Sequence, residues 1–520
     1  MERIGAIIKK YRTAKKLTQE QLGKQMFVSK QAVSKWENDA AIPDLETLRR
    51  ICTVLEIPSD VILQRVTTDL CVATAGNQTV QKEQGNMKKQ TQIEAWRDYK
   101  FGMFIHYGIY SLIGRINEWV MFHEPIDIDD YAEESKKFTA ERFDANYYAD
   151  LAKRAGMKYM VLTTRHHDGF CLFDSKHSHR DFTVMNTPAQ RDLVREYTDA
   201  CRAAGLGVGL YYSPMDWRFE GYFFPLMYRK SASAMREQCH KQVRELMENY
   251  GKIDVLWYDG GEDGWFAHGI NLNKWEPSRA NTEVNYKQHP PIPEFWGEYE
   301  LDAMVRERQP QIVINNRLGM QRCGDYVTPE RVVGGFNIKE PWETCDTLSE
   351  TWGWTPNRKI LPLEKIVRLL IDVITGGGNL LLNISPRGDG SLDPAHEARL
   401  LEMGEWTSKY ADAIYGTRGG PFKNAKGVGG FTCKDNRIFC FIEEKERTQL
   451  RIPLLDAKVQ KVRCLSGEEI LSTHVSDGIL TVTLTSGAAN GIASVTEITL
   501  DRDVATHYAD FDHAAFDAWN

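Results

Sequence analysis

The feature that most constrains this chain is a series of short, almost wholly apolar runs between residues 93 and 420. They are FGMFIHYG (101–108), YMVLTT (159–164), GVGLYYS (207–213), DVLWYD (254–259), IVINN (312–316) and NLLLNIS (379–385). A strand with one wet face alternates apolar and polar residues, whereas a run without alternation is covered on both faces. Between the runs lie amphipathic stretches such as FDANYYADLAKRA (143–155) and DLVREYTDACRAA (192–204). Buried strands separated by helices predict parallel pairing with helical crossovers. The length suits a TIM-like (β/α) barrel with insertions. In that fold chemistry sits at the C-terminal ends of the strands. Here the run ends carry His106, His166, His167, Tyr212, Asp259 and Arg317.

The flanking segments have other periods, so the chain of 520 residues reads as multidomain. Residues 1–66 predict an all-α unit. Ile4, Ile7, Ile8 and Tyr11 recur at helical spacing. Thr18 and Gln21 fit a capping box for a second helix, and Ser29 fits the cap of a third that carries Val33 and Trp36. Pro43 and Asp44 introduce a fourth helix and Pro58 a short fifth. Residues 67–92 are polar, small and aperiodic, and read as a linker. Residues 421–505 contain VGGFTCKDNRIFCFIEE, QLRIPLL, KVQKVRCL and GILTVTLT, short strands parted by turns. They predict a C-terminal β-sandwich. The last stretch, HYADFDHAAFDAWN, has no evident place.

Charge separates these regions. The net charge of -7 gives the whole chain no general attraction for nucleic acid. Residues 1–66 hold 12 Lys/Arg against 8 Asp/Glu, a balance of +4, which leaves -11 for the rest. No stretch reaches the ~20 apolar residues of a membrane span, and the N-terminus lacks the core of a secretory signal. Ten cysteines are scattered singly with no CxxC pair. That usage fits free thiols in a reducing cytoplasm.

Asp259 ends DVLWYD, two residues after Trp257 on the same face, and Gly260 and Gly261 follow it. The strand would aim its carboxylate into the barrel mouth; the alternative is a turn aspartate that caps the next helix. Glycoside chemistry needs a second carboxyl group, and Glu330 in GDYVTPE (324–330) is the best placed. Its alternative is a solvated loop residue. His166 and His167 would point to opposite sides if their strand continues through them, which makes a poor chelating pair. With no HExxH present, hydrogen bonding to hydroxyl groups fits them better than zinc. A pair of core or capping histidines is the other reading.

Taken together, KFGMFIHYGIYS (100–111), NEW (117–119), LTTRHHDGF (162–170), GLYYSPMDW (209–217), DVLWYDGG (254–261), NNR (315–317) and GGGNLLLNISPRGDG (376–390) resemble the α-L-fucosidase family, glycoside hydrolase family twenty-nine. The resemblance covers about 93 to 500. It implies a (β/α) barrel followed by a β-sandwich, and hydrolysis with retention through a covalent fucosyl-enzyme, with no cofactor or metal. By motif, Asp259 corresponds to the nucleophile and Glu330 to the acid/base, with Glu343 in PWE as its rival. His106, Glu118, Trp119, His166, His167, Tyr212, Trp257 and Arg317 correspond to the fucose-binding shell, and Trp352 to the aromatic near the sugar's methyl group. The TPE and PWE segments resemble the branch that favours α-1,3/1,4-linked fucose. The partner implied is a fucosylated oligosaccharide or glycoconjugate.

The stretch LTQEQLGKQMFVSKQAVSKWENDAAIPDLETL (17–48) resembles the helix-turn-helix of the Cro/C1-type repressors. That resemblance implies DNA as a partner of residues 1–66, with the helix from Ser29 to Trp36 in the major groove. Lys30, Gln31, Ser34 and Lys35 would face DNA, Gln19 would sit near a phosphate, and a homo-oligomer would pair two half-sites. Two expectations follow: an active fucosidase carrying a DNA-binding module, or a fucose-sensing regulator whose barrel is inactive.

Overall fold

The structure is a computed structural model that describes residues 4–26, 28, 30–38, 51, 54–55, 57, 89–124, 126–223, 225, 227–261, 295–318, 324–467, 470–485, 492–512 and 519. Contacts divide the chain into two units, 1–90 and 91–520.

In the first unit three helices span Ile4–Ala14, Gln19–Met26 and Lys30–Glu37. The second starts where the sequence predicts. Gln21 N donates to Thr18 Oγ1 at 3.1 Å while Thr18 N donates to Gln21 Oε1 at 2.7 Å, the reciprocal capping box. Ile7, Ile8, Leu22, Met26, Val33 and Trp36 form one buried cluster with Ile51, Leu55 and Ile57. Ser29 and most of the fourth and fifth helices expected from sequence lie outside the described residues.

The second unit holds a curled sheet of seven strands: β1 Phe101–Ile105, β2 Tyr159–Arg165, β3 Gly207–Tyr212, β4 Val255–Tyr258, β5 Val313–Ile314, β6 Glu343–Thr347 and β7 Asn379–Ile384. Every pair is parallel, in the order β5-β4-β3-β2-β1-β7-β6. Single bridges join the two edges through the segment between them. Asn315 pairs with Tyr326, Val327 with Trp342, and Glu330 with Cys345. The ring therefore closes as a (β/α) barrel.

Two of the helical crossovers begin at side-chain caps. Asp144 accepts from Asn146 N and Tyr147 N before Ala145–Arg154, and Asp192 accepts from Arg195 N before Leu193–Ala204.

Alternate residues of each strand fill the barrel. Phe104, Tyr159, Val161, Tyr211, Val255, Trp257, Val313, Cys345 and Leu381 form one inner cluster. Large and small residues face one another across it. A Cβ on Gly102 of β1 would lie 2.4 Å from the Tyr159 ring. Glycine there lets Tyr159 of β2 cross the lumen toward β6.

Beyond the barrel, antiparallel strands form sheets of five and three. They run β8 Arg418–Gly419, β9 Gly429–Lys434, β10 Arg437–Ile442, β11 Gln449–Pro453, β12 Val459–Cys464, β13 Ile470–Ser476, β14 Ile479–Leu484 and β15 Ser494–Leu500. Phe431, Ile438 and Ile498 of the larger sheet pack with Leu450, Leu480 and Val482 of the smaller. The final stretch, unplaced from sequence, belongs to this layer. Tyr508 donates to Pro453 O at 2.6 Å, and Trp519 packs on Phe431 and donates from Nε1 to Lys423 O.

Among the described residues no helix is long and apolar enough to cross a membrane.

Candidate active site

The C-terminal ends of the strands surround a cavity of about 350 Å³. His106, Glu118, Trp119, His166, His167, Trp257, Asp259, Arg317, Glu330 and Trp352 all line it. Ten of the eleven residues expected to be catalytic or substrate-binding are thus brought together from five strands and their loops.

Tyr212 is the exception. Side chains alternate along a strand, and Tyr211, paired with Trp257 in register, is the tyrosine of β3 that faces in. Its hydroxyl donates to Asp259 Oδ2 at 2.8 Å. Tyr212 points to the outer face and donates to Gln242 Oε1 on the helix Arg229–Asn249. The structure thus places Tyr211, and not the expected Tyr212, at the cavity.

The histidine geometry also differs from that expected for a continuing strand. β2 stops at Arg165, and His166 accepts a turn bond from Gly169 N. The turn brings both imidazoles to the same side, with ring centroids 4.1 Å apart. Arg165 and Asp168, in the same stretch, serve structure. Arg165 pairs with buried Asp216, and Asp168 accepts from Tyr131.

Asp259 sits at the centre. Arg317 Nη1 donates to its Oδ1 at 2.9 Å, Tyr211 holds Oδ2, and His167 Nε2 lies 3.6 Å from Oδ2. Burial alone would raise its pKa, but Arg317, His167 and Tyr211 more than offset that and hold it below the usual aspartate value. Gly260 after it has φ +74°, and a Cβ there would lie 2.2 Å from Met215 Cε. Glycine is required at that turn.

Arg317 is held in turn. Nε and Nη2 donate to Thr328, the guanidinium lies 4.7 Å over the Trp257 ring, and Nη1 also donates to Glu330 Oε2 at 3.0 Å. The Glu330 side chain is 40% exposed against 17% for Asp259, so Glu330 stands at the entrance.

The buried histidines of the lining are held in the neutral form by burial. Burial drives the pKa of His106 and His167 down to about 4, and that of His166 well below the ordinary value. Neutral imidazoles each offer one donor and one acceptor. His106 Nδ1 meets Asn383 Oδ1 at 2.7 Å and His167 Nδ1 meets Ser213 Oγ at 2.7 Å, while His167 Nε2 faces Asp259. Burial raises Glu118 to about 7, and Gly353 N donates to it at 2.9 Å.

Sequence reasoning also missed one aromatic, one thiol and two polar residues of the lining. Phe104, Cys345, Asn117 and His123 also line the cavity. Phe104 lies two residues before His106, so strand alternation would have found it.

Glu343, the expected rival of Glu330, is fully buried beneath the cavity and does not line it. It accepts from Trp257 Nε1 at 2.9 Å and from Tyr159 Oη.

Among the described residues one trio of metal-capable side chains occurs: His166, His167 and Asp259, with ligand atoms within 4.8 Å of one another. Arg317 already supplies a cation to that carboxylate, so a dication would meet a like charge 2.9 Å from its ligand.

In the first unit, Val33 and Trp36 face the core while Lys30 and Lys35 are exposed and Ser34 is half-buried. Gln19 is also half-buried and donates to Glu37 Oε2, which pairs with Arg12. The side chain of Gln31 lies outside the described set.

Comparison with known proteins agrees with this geometry. The Alpha-L-fucosidase family matches residues 69–412 and the Helix-turn-helix family residues 8–62. Plasma alpha-L-fucosidase of Rattus norvegicus is 32% identical over 355 residues, covering 62% of this chain and 71% of that protein. Among solved structures, alpha-L-fucosidase isoenzyme 1 from Paenibacillus thiaminolyticus superposes with a TM-score of 0.67 at 32% identity, over 80% of this chain and all of that one. Thermotoga maritima alpha-fucosidase gives a TM-score of 0.60 at 31% identity, over 78% of this chain and 96% of that one. By a match over more than half of its length, the chain belongs to the α-L-fucosidase family of glycoside hydrolases, and carries an N-terminal helix-turn-helix domain.

Proposed function

We propose that the enzyme hydrolyses terminal α-L-fucosyl linkages with retention, Asp259 acting as nucleophile and Glu330 as acid/base. The observation that carries this is Arg317. One nitrogen of its guanidinium donates to both carboxylates, at 2.9 and 3.0 Å. The two nearest oxygens therefore lie no farther apart than these two contacts end to end. That favours the ~5–5.5 Å spacing of retaining enzymes over the ~6.5–9.5 Å that inverting enzymes need to admit a water.

Asp259, ionised by its neighbours, attacks the anomeric carbon as Glu330 gives its proton to the leaving oxygen. A fucosyl ester on Asp259 results. Glu330, now a carboxylate at the entrance, takes a proton from water, which attacks the same carbon and frees Asp259. The imidazoles and Glu118 bind hydroxyl groups, and a sugar lacking those hydroxyls leaves buried polar groups unpaired. Phe104, Trp257 and Trp352 offer flat apolar surface to the 6-deoxy methyl group. The TPE and PWE segments support α-1,3/1,4-fucosylated oligosaccharides or glycoconjugates as substrates.

The test is hydrolysis of 4-nitrophenyl α-L-fucoside and of an α-1,3/1,4-fucosylated oligosaccharide, with the first-formed anomer read by NMR. Release of the α-anomer is expected. Release of the β-anomer would overturn retention, and fucose binding without turnover would favour a sugar-sensing regulator.

We also infer that residues 1–66 bind DNA, with Lys30, Gln31, Ser34 and Lys35 toward the bases and backbone, and that the protein works in the cytoplasm as a homo-oligomer. Lys30 and Lys35 are exposed on a helix whose opposite face is core, and the seven described cysteines are free. Affinity for duplex DNA should fall steeply as salt rises from 50 to 200 mM. An affinity indifferent to salt would remove the phosphate contacts from this reading.

A further inference from the structure

The family resemblance offers Glu343 as a rival acid, but its surroundings are those of a support. It is the first residue of β6 and is wholly buried. Its Oε1 accepts from the indole N–H of Trp257 on β4, and its Oε2 from the hydroxyl of Tyr159 on β2. The three residues come from alternate strands, which is how a barrel builds one interior layer. Both donors are neutral, and no arginine or lysine bonds to this carboxylate among the described residues. A polar trio across the lumen is costly to bury unless every member is satisfied. Here each of the two carboxylate oxygens has a donor.

The layer above is the active site. The face of Trp257 lines the cavity and lies under the Arg317 guanidinium, 4.7 Å away. Arg317 in turn bonds to Asp259 and Glu330. A cation is drawn to the negative face of an aromatic ring. An indole whose N–H is given to a buried carboxyl oxygen cannot rotate without breaking that bond.

We propose that Glu343 is a positioning residue for fucoside hydrolysis. It fixes Trp257 by the indole N–H, and through that ring fixes Arg317 and the spacing of the two carboxylates. The proposal rests on the roles assigned above to Asp259 and Glu330. It gives Glu343 no contact with substrate and no proton to transfer to it.

The test is a double-mutant cycle on the full-length protein with 4-nitrophenyl α-L-fucoside, using Glu343→Leu, Trp257→Phe and the pair, with Glu343→Gln, L-fucose binding and Asp259→Ala measured alongside. Glu343→Leu removes the acceptor and should lower kcat about tenfold or more and shift the limbs of the pH–rate profile, with fucose affinity changed less than threefold. Glu343→Gln keeps an oxygen that accepts the indole N–H and should retain most of kcat. Trp257→Phe removes the N–H partner, so Glu343→Leu should add little on that background. Additive losses, or an unchanged kcat and pH profile in Glu343→Leu, would overturn the proposal. If Glu343→Leu does not fold, Trp257→Phe alone decides by its pH profile, because it keeps an aromatic ring and deletes the bond. Retained turnover in Asp259→Ala would instead bring down the reading of the active site itself. An inert Asp259→Ala beside a normal Glu343→Leu would sink only the role of Glu343.

Discussion

Two carboxylates stand in successive layers of the same barrel, and their surroundings could hardly differ more. Asp259 at the rim is bonded by an arginine and a tyrosine and is held in its charged form. Glu343 below it has only neutral donors, and burial raises its pKa to about 7. Composition does not separate them: both are acidic, interior and hydrogen-bonded. What separates them is whether a cation shares the layer. Arg317 sits above Trp257 and Glu343 below it, so the ring partitions a charged layer that can do chemistry from a polar layer that can only hold shape.

The largest break in this comparison comes from removing the upper carboxylate. Asp259→Ala should cost on the order of 10³-fold or more in kcat on every fucoside, since a nucleophile is not replaced by binding. Steady-state hydrolysis of 4-nitrophenyl α-L-fucoside measures it, and a loss under tenfold would remove Asp259 from the reaction. Glu330→Gln ranks next and should depend on the leaving group. General-acid help contributes about 10²–10⁴-fold. That loss should appear in full on an oligosaccharide and shrink on the aryl fucoside, whose leaving oxygen needs little proton. Equal losses on both substrates would argue that Glu330 only holds Arg317.

Neighbouring tyrosines give a smaller contrast, inside against outside one strand. Tyr211→Phe deletes a bond to a charged carboxylate, worth about 1.5–3 kcal/mol, so kcat/KM should fall roughly 10- to 100-fold. Tyr212→Phe deletes a bond to Gln242 behind the sheet. It should leave kcat/KM within about twofold and cost about 1 kcal/mol of stability. The reverse ranking would mean that β3 presents the other face to substrate.

That pair also shows where sequence reasoning reaches its edge. The apolar runs made the barrel legible because a strand covered on both faces has little choice of residue. Asp259, His106 and Arg317 were legible because each ends such a run. YY in GLYYS is different: the two residues are chemically identical, and only the register with Trp257 decides which one enters the lumen. β6, ETCDT, was invisible as a strand because Glu343, Asp346 and two threonines break the apolar run by which the other strands were read. β13 was missed for the opposite reason. It lies almost wholly exposed, so burial leaves no alternating mark on its sequence. The side to which each histidine points was conditional on β2 running through both; the turn bond from Gly169 that follows the strand depends on backbone geometry, not on side-chain type.

The smallest predicted effect is on stability against pH, and its sign differs between the two layers. The folded-state pKa of Glu343, about 7, lies above its ordinary value chiefly because of burial. Between these values the native state binds the extra proton, so stability is greatest below the ordinary carboxyl pKa and is lost as pH rises through 7. Asp259 is shifted the other way: burial opposes the shift, but Arg317, His167 and Tyr211 together outweigh it. Its contribution is present above the ordinary aspartate pKa and is lost as pH falls through the lowered value. Glu343→Gln cannot titrate, so its thermal midpoint should fall less than that of the wild type between pH 5 and 8, by about 2–4 °C for each kcal/mol removed. Asp259→Asn should lose less than the wild type on the acid side and should leave the alkaline side unchanged. Both are read by thermal scans of each variant against the wild type across that range and below it. If the two variants bent the profile on the same side of neutrality, the carboxylates would share one environment, and the ring of Trp257 would divide nothing.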